Sequence, residues 1–226
     1  MGIVTRKYPS DKINQLCSSD EGIWDYTESM TKDGPALLDD LLDETYDKLH
    51  CPGKTAGKTV GRTLKLLTSI SKAKRALELG TFSGYTALCI AEALPDDGKL
   101  ITCESSPVSC EMARRYFAQS EHGHKIEIKE GKCLQTLPTI TGMFDLVFID
   151  IDKRNYLNYF KMILPQVEAG GLIIVDNALW MGNVLHPESE LDKSVASLNE
   201  FILEHPDLEN AFLIVRDGLN IVRKIR

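Results

Sequence analysis

Two apolar runs, FDLVFIDIDK (144–153) and GLIIVDN (171–177), carry aspartates at their ends, Asp150 and Asp176. Near-continuous Val, Ile, Leu and Phe predicts central parallel strands buried on both faces. Two such strands side by side would set both carboxylates on the same carboxyl edge of a sheet, with the neutral oxygen of Asn177 beside them. Unpaired, the two acids would repel and raise one another's pKa, whereas a divalent cation lets both stay ionised. All-oxygen ligation selects a hard ion, Mg²⁺ first and Ca²⁺ or Mn²⁺ as alternatives, over zinc. Metal-free helix capping competes with this reading, because aspartate is common at strand–helix junctions; spacing alone does not choose between them.

A second constellation lies upstream. LELGTFSGYT (77–86) reads as a strand that runs into two glycines, Gly80 and Gly84, and then into a helix. Such a turn stands where open α/β sheets bind ligands. A dinucleotide site needs a middle glycine so that the backbone can approach pyrophosphate. Phe82 occupies that place and suits a ligand with a hydrophobic or cationic part. Further on, at the end of KLITCE, Glu104 stands where an acid in this topology takes ribose hydroxyls. A nucleoside without pyrophosphate is the economical reading, against an ordinary β–α turn followed by a strand-end acid.

Other motifs carry less. PGKTAGKTVG (52–61) ends a would-be phosphate loop in Gly57-Lys58-Thr59, but Pro52 replaces the earlier glycine and no apolar strand precedes it. A flexible basic segment leading into a helix is expected instead. His122 and His124 form an H-x-H in a polar stretch without a third nitrogen or sulfur ligand, the pattern of a solvated turn. His50, His186 and His205 stand alone.

The elements that must position these residues alternate. Amphipathic helices are predicted over 35–49 and 60–71, joined by the linker CPGKTAGK. From residue 75, short apolar runs (RALEL, KLITCE, KIEIK, FDLVFID, GLIIVD) alternate with helical patterns over 84–94, 107–119, 153–164 and 191–203. That alternation predicts an α/β fold with a doubly wound, mostly parallel sheet. AFLIVR and LNIVRKI then follow one another across Asp217-Gly218 alone, a hairpin signal that predicts an antiparallel finish.

With 226 residues, 43% of them hydrophobic, the chain suits one sizeable core: a single domain, with 1–72 as an N-terminal helical extension and 73–226 as a Rossmann-like core. A net charge of −7 repels phosphate backbones and anionic membranes, favouring a small substrate over a nucleic acid. Six scattered cysteines without a C-x-x-C pair fit reduced thiols. No apolar run approaches the ~20 residues that span a bilayer. MGIVTRKYPSDK lacks a signal-peptide core, so a cytoplasmic protein without a membrane partner is expected.

Taken in order, LELGTFSGYTAL, ALPDDGKLITCE, FDLVFIDIDKRNYLNYF, GGLIIVDNALWMGNV and VRDGLNIVRKI resemble the cation-dependent O-methyltransferases that use S-adenosylmethionine. The likeness is to the caffeoyl-CoA O-methyltransferase group and, more distantly, to catechol O-methyltransferase. It runs from about residue 24 to the end and is densest over 73–182. The resemblance implies a seven-stranded sheet of the class I methyltransferase type and methyl transfer to a small catechol-like acceptor. By position, it implies that Glu78 binds the methionine end of the cofactor and that Gly80, Thr81, Phe82 and Thr86 line that half. Glu104 would take the ribose, Cys133 would lie beside the adenine, and Asp150 and Asp152 would lie near the cofactor. The metal ligands would be Asp150, Asp176 and Asn177, the general base Lys153, and the acceptor cover Trp180 and Asn183. A homodimer is also implied.

Some positions depart from that pattern. Glu104 replaces the aspartate of the caffeoyl-CoA group, and Ile151 replaces a small residue. Met181 replaces a substrate-contacting asparagine of the plant enzymes, which points away from a CoA thioester. Lys54 and Ala56 stand where Met and Thr are frequent near the cofactor. Two other readings remain: a methyltransferase of a hydroxylated uridine in tRNA, favoured by Lys54, Lys58, Arg62 and Lys65 and disfavoured by the acidic net charge, and a non-catalytic nucleoside-binding module.

Overall fold

The structure is a computed structural model that describes residues 21–226; Cys17 and MGIVTRKYPSDK lie outside the described residues. Three helices come first: α1 (Glu21–Met30), α2 (Leu37–Lys48) and α3 (Gly57–Ser71). Strand and helix then alternate through β1 (Arg75–Leu79), α4 (Tyr85–Ala93), β2 (Lys99–Glu104), α5 (Pro107–Gln119) and β3 (Ile126–Glu130). The short α6 (Cys133–Thr136), β4 (Phe144–Ile149), α7 (Tyr156–Ile163), β5 (Val167–Val175) and α8 (Glu190–Glu204) follow. β6 (Leu208–Leu213) and β7 (Leu219–Lys224) end the fold.

The seven strands lie in the order β3-β2-β1-β4-β5-β7-β6. The first five pair in parallel, and β7 pairs antiparallel with both β5 and β6. From β1 the chain builds outward to β3, then returns to place β4 on the other side. The switch point therefore falls between β1 and β4, the crevice in which such sheets bind ligands.

Alternation along each strand feeds two cores. Ala76, Leu100, Leu146, Phe148 and Ile174 face α2, α3, α4 and α5. Leu77, Leu79, Val147, Ile149, Ile173 and Val175 face α6, α7 and α8. These last six are 0% exposed, and each such side chain contributes roughly 1.5–3 kcal/mol of transfer free energy. Burial on both faces is what the unbroken apolar runs required. No described helix is long and apolar enough to cross a membrane.

Two expectations change. Helix α3 begins at Gly57 rather than residue 60, so the basic linker is shorter, and Pro52–Lys54 forms a single 3-10 turn. The terminal hairpin does not close on Asp217-Gly218 alone: Leu213 pairs with Leu219, which leaves a five-residue loop over 214–218. The backbone carbonyls of Asp217 and Gly218 accept the N–H groups of Leu179 and Ala178 at 2.8 and 3.0 Å. The turn is thus bonded to the segment after β5 and cannot also complete a tight hairpin ladder.

Gly80 sets how close the 80–84 turn lies to the end of β4. Its φ is +105°, and a Cβ there would stand 2.0 Å from the carbonyl oxygen of Asp150. Gly80→Ala is expected to destabilise the protein by about 3 kcal/mol or more, through left-handed strain and a backbone clash. Thermal melting should show a midpoint lowered by roughly 6–12 °C; an unchanged midpoint would contradict this packing.

Candidate active site

Adjacent registers bring the strand-end groups together. Ile149 pairs with Val175 and Leu79 with Ile149, so Gly80, Asp150 and Asp176 follow at one edge. The Asp150 N–H donates to Leu79 O and the Asp176 N–H to Ile149 O, both at 3.0 Å. The ladder therefore continues through both acids and fixes their backbones.

Asp176 is 3% exposed. Burial, and after it the charge of Asp150, pushes its carboxyl up to about 7, although the Asn177 N–H donates to Oδ1 at 2.7 Å. Asn177 itself is left-handed, with φ 53°. Lys153 Nζ lies 2.5 Å from Asp150 Oδ1 and 4.8 Å from the centre of the Tyr156 ring. The Tyr156 hydroxyl donates to the backbone oxygen of Asp176 at 3.2 Å. Lys153 thus pairs with Asp150 directly, and Asp176 lies within its field. Among the described residues no group of three or more His, Cys, Asp or Glu side chains is arranged to hold a metal ion. The expected ligand set contains two acids, with Asn177 as its third donor.

Glu78 is fully buried on β1. Thr86 donates to its Oε1 at 2.6 Å and Thr102 to its Oε2 at 2.5 Å, while Thr81 Oγ1 lies 2.6 Å from Thr102 Oγ1. Burial pushes this carboxyl up to about 8; the threonine hydroxyls pull against that and Asp150 adds to it. Among the described residues no basic side chain pairs with it within 4.0 Å, so the carboxylate form lacks a cation.

Glu104 does not stand open. Its Oε2 accepts the Phe82 N–H at 2.9 Å, and its Oε1 accepts those of Ser105 and Ser106 at 2.7 and 2.8 Å. The acid therefore ties the 80–84 turn to the end of β2. Phe82, at φ 46°, leaves a half-buried ring beside it. Cys133 is buried at the start of α6, and its thiol is pushed upward by the hydrogen bond with Cys103 and, after it, by burial. Asp152 is exposed and caps the turn at 153–155, accepting from the Arg154 N–H and Asn155 Nδ2.

The segment after β5 forms a loop with three successive left-handed residues, Trp180 (φ 48°), Met181 (φ 54°) and Gly182 (φ 84°). Neither Trp180 nor Asn183 projects freely. Trp180 Nε1 donates to Asp192 Oδ1 at 3.0 Å and Asn183 Nδ2 to the same oxygen at 3.3 Å. Helix α8 also fixes the neighbouring backbone: Ser194 Oγ donates to Lys153 O at 2.7 Å, and Asn199 Nδ2 to Ala178 O at 2.8 Å. Asp192 was missed by sequence reading, although Ser189-x-x-Asp192 is a capping-box spacing, and that box is present at the start of α8. Asp217 was read only as a turn residue, yet its Oδ1 accepts the Met181 N–H at 2.6 Å. Of the histidine pair, His124 is exposed, with its Nδ1 2.9 Å from Glu121 O, whereas His122 is half-buried, with its Nδ1 3.5 Å from Lys125 Nζ.

Glu78 generates a pH test. Its carboxyl titrates near 4.5 when unfolded and about 8 when folded. Its contribution to stability is full below the first value and lost as pH rises through the second. The difference in unfolding free energy between wild type and Glu78→Gln, from urea titrations near pH 5 and near pH 8, should therefore move in favour of the variant at the higher pH. A pH-independent difference would exclude a neutral Glu78 in the ligand-free protein.

Known proteins resemble this chain in sequence and in fold. A family model described as O-methyltransferase matches residues 28–225. Caffeoyl-CoA O-methyltransferase 2 of Petunia hybrida is 38% identical over 176 residues, covering 72% of this chain and 73% of that protein. The O-methyltransferase TomG of Streptomyces achromogenes, involved in tomaymycin synthesis and solved with S-adenosylmethionine, superposes with a TM-score of 0.82. It is 27% identical and covers 91% of this chain and 96% of that one. An O-methyltransferase from Bacillus cereus, solved with S-adenosylhomocysteine, reaches a TM-score of 0.83 at 25% identity, covering 90% and 97% of the two chains. With a family match across nearly all the described residues, the chain belongs to the O-methyltransferase family, in its caffeoyl-CoA O-methyltransferase-like group, and is an S-adenosylmethionine-dependent O-methyltransferase.

Proposed function

We propose that this enzyme is divalent-cation-dependent and methylates one of two adjacent hydroxyls on a small aromatic acceptor. The observation that carries this reading is the surplus of negative charge at the strand tips, where buried Asp176 and its neighbour Asp150 face Lys153. The all-oxygen donor set of Asp150, Asp176 and Asn177 fits a hard ion such as Mg²⁺. The Asp176 carboxyl, pushed upward by burial and by the charge of Asp150, regains its charged form when a dication is near. When bound, such a cation supplies Lewis acidity that lowers the pKa of hydroxyls beside it. Caffeoyl, the group in the relatives' names, carries two adjacent ring hydroxyls, which supports an acceptor of that kind.

S-adenosylmethionine supplies the methyl group as a sulfonium, and this chain's residues prepare the oxygen that takes it. A phenol with a pKa near ~10, judged from tyrosine, is a poor nucleophile at neutral pH. Lys153, in its neutral form, accepts the phenol proton at Nζ, and Asp150 stabilises the ammonium that results. Glu78 and the turn Gly80, Thr81, Phe82 and Thr86 hold the methionine half of the cofactor, Glu104 the ribose, and Cys133 the neighbourhood of the adenine. Asp152 lies close to that site. Trp180 and Asn183 cover the acceptor. Alignment of oxygen, methyl carbon and sulfur could supply ~7–11 kcal/mol of the barrier reduction, more than a single base.

About half the charge of the basic cluster that favoured tRNA is offset within the chain. Lys58 pairs with Asp33 at 2.5 Å, and Arg62 and Lys65 both pair with Glu92, at 2.9 and 2.5 Å. A small acceptor is therefore preferred over a phosphate backbone. The Lys153–Asp150 pair speaks against a purely binding role.

Transfer of tritiated methyl to a catechol, measured with Mg²⁺ and with EDTA, tests the proposal. EDTA should abolish turnover and Mg²⁺ restore it. Lys153→Ala should slow it by about 10²–10⁴-fold, and Asp150→Ala should abolish it. An Asp150→Ala enzyme that works at the wild-type rate with and without EDTA would refute the cation role.

A further inference from the structure

The loop expected to cover the acceptor needs an explanation of its own, because Trp180 and Met181 hold a backbone conformation that residues with a Cβ rarely adopt. Its bonds show what holds it. On one side, Asp192 of α8 takes the side chains of Trp180 and Asn183. On the other, the 214–218 turn takes its backbone: Leu179 N–H donates to Asp217 O, Ala178 N–H to Gly218 O, and Met181 N–H to the Asp217 carboxylate. The last is the charge-assisted one, and it falls in the middle of the left-handed run. Gly218 permits this approach, since a Cβ there would stand 2.6 Å from Leu179 Cγ.

The turn is itself anchored. Arg216 extends the other way, and its Nη1 donates to the carbonyls of Thr55 and Ala56, at the start of α3. Asp217 is half-buried, and both Lys153 and Arg216 act on it as cations. One short turn therefore contacts the acceptor-side loop, the field of Lys153 and the segment before α3.

We propose that Asp217 is a positioning residue for the acceptor: its carboxylate, aimed by the Arg216-anchored turn, holds the Met181 amide and thereby the left-handed 180–182 loop over the bound aromatic ring. The assignment rests on the proposed acceptor site, and its experiment is arranged so that the two fail separately. The side-chain hydrogen bond of Asp217 goes to the Met181 N–H, and not to Asp150, Asp176, Asn177 or the 80–84 turn among the described residues, so its removal should act on acceptor binding and leave the cofactor in place.

Asp217→Ala and Asp217→Asn are compared with wild type by three readouts. Asp217→Ala should raise the KM for a catechol acceptor about tenfold, with kcat changed less. Its affinity for S-adenosylhomocysteine by calorimetry should match wild type, which also reports an intact fold. Amide hydrogen exchange should lose its protection over 179–182. Asp217→Asn keeps an oxygen that accepts the same N–H and should restore both the KM and the protection to near wild type. The exchange arm needs no acceptor: if no catechol is methylated by any form, selective deprotection of 179–182 with intact cofactor affinity still supports the positioning role. Wild-type protection or wild-type KM in Asp217→Ala overturns it. Equal impairment of the two variants overturns it as well, because that result would assign the effect to the charge and not to the hydrogen bond.

Discussion

Uncompensated negative charge beneath a solvent-poor surface is the constraint on which the rest of this site depends. Glu78 and Asp176 are almost fully buried at the carboxyl ends of β1 and β5, and Asp150 stands between them just after β4. Lys153 is the cation paired with this group among the described residues, and it meets Asp150 alone. Carboxyls in such a place either keep their protons or attract a positive ligand. An enzyme that binds a sulfonium and, as proposed, a dication uses the second outcome. The two-faced apolar strands create the low dielectric that makes the preference strong, so the core and the chemistry share one physical origin.

Helix α8 explains how the site keeps its shape. Along it, Asp192, Ser194 and Asn199 reach Trp180, the Lys153 backbone and the Ala178 backbone in turn. The helix packs through Val195, Leu198 and Ile202, which are at most 1% exposed, so its polar grips start from a rigid base. The Lys153 segment, the loop and the helix thus hold their relative positions through bonds to a common support.

The fold was legible because its signals are local and repetitive. The strands RALEL and KLITCE fall where they were expected, and the strand-end acids meet because parallel neighbours in register leave no other choice. The hairpin was misjudged for the opposite reason: Asp217-Gly218 is a strong local turn signal, but the backbone of both residues is taken by a segment about forty positions earlier in the chain, which no local pattern records. The same holds for Asp192 and Asp217 in the site, whose partners were visible only once the chain was folded. Glu78 was named through resemblance, and its lack of a countercharge could be seen only in three dimensions.

The anchoring of the 178–185 loop also bears on how such an enzyme diversifies. Its supports are Asp192 and the 214–218 turn, whereas the acids near Lys153 follow the ends of β4 and β5. Met181, at the crest, is 74% exposed and packs against little. Exchange of side chains along this crest therefore leaves the strand tips undisturbed. Lineages descending from this scaffold can drift toward new acceptors by altering an outer rim while the machinery that hands over the methyl group is inherited whole.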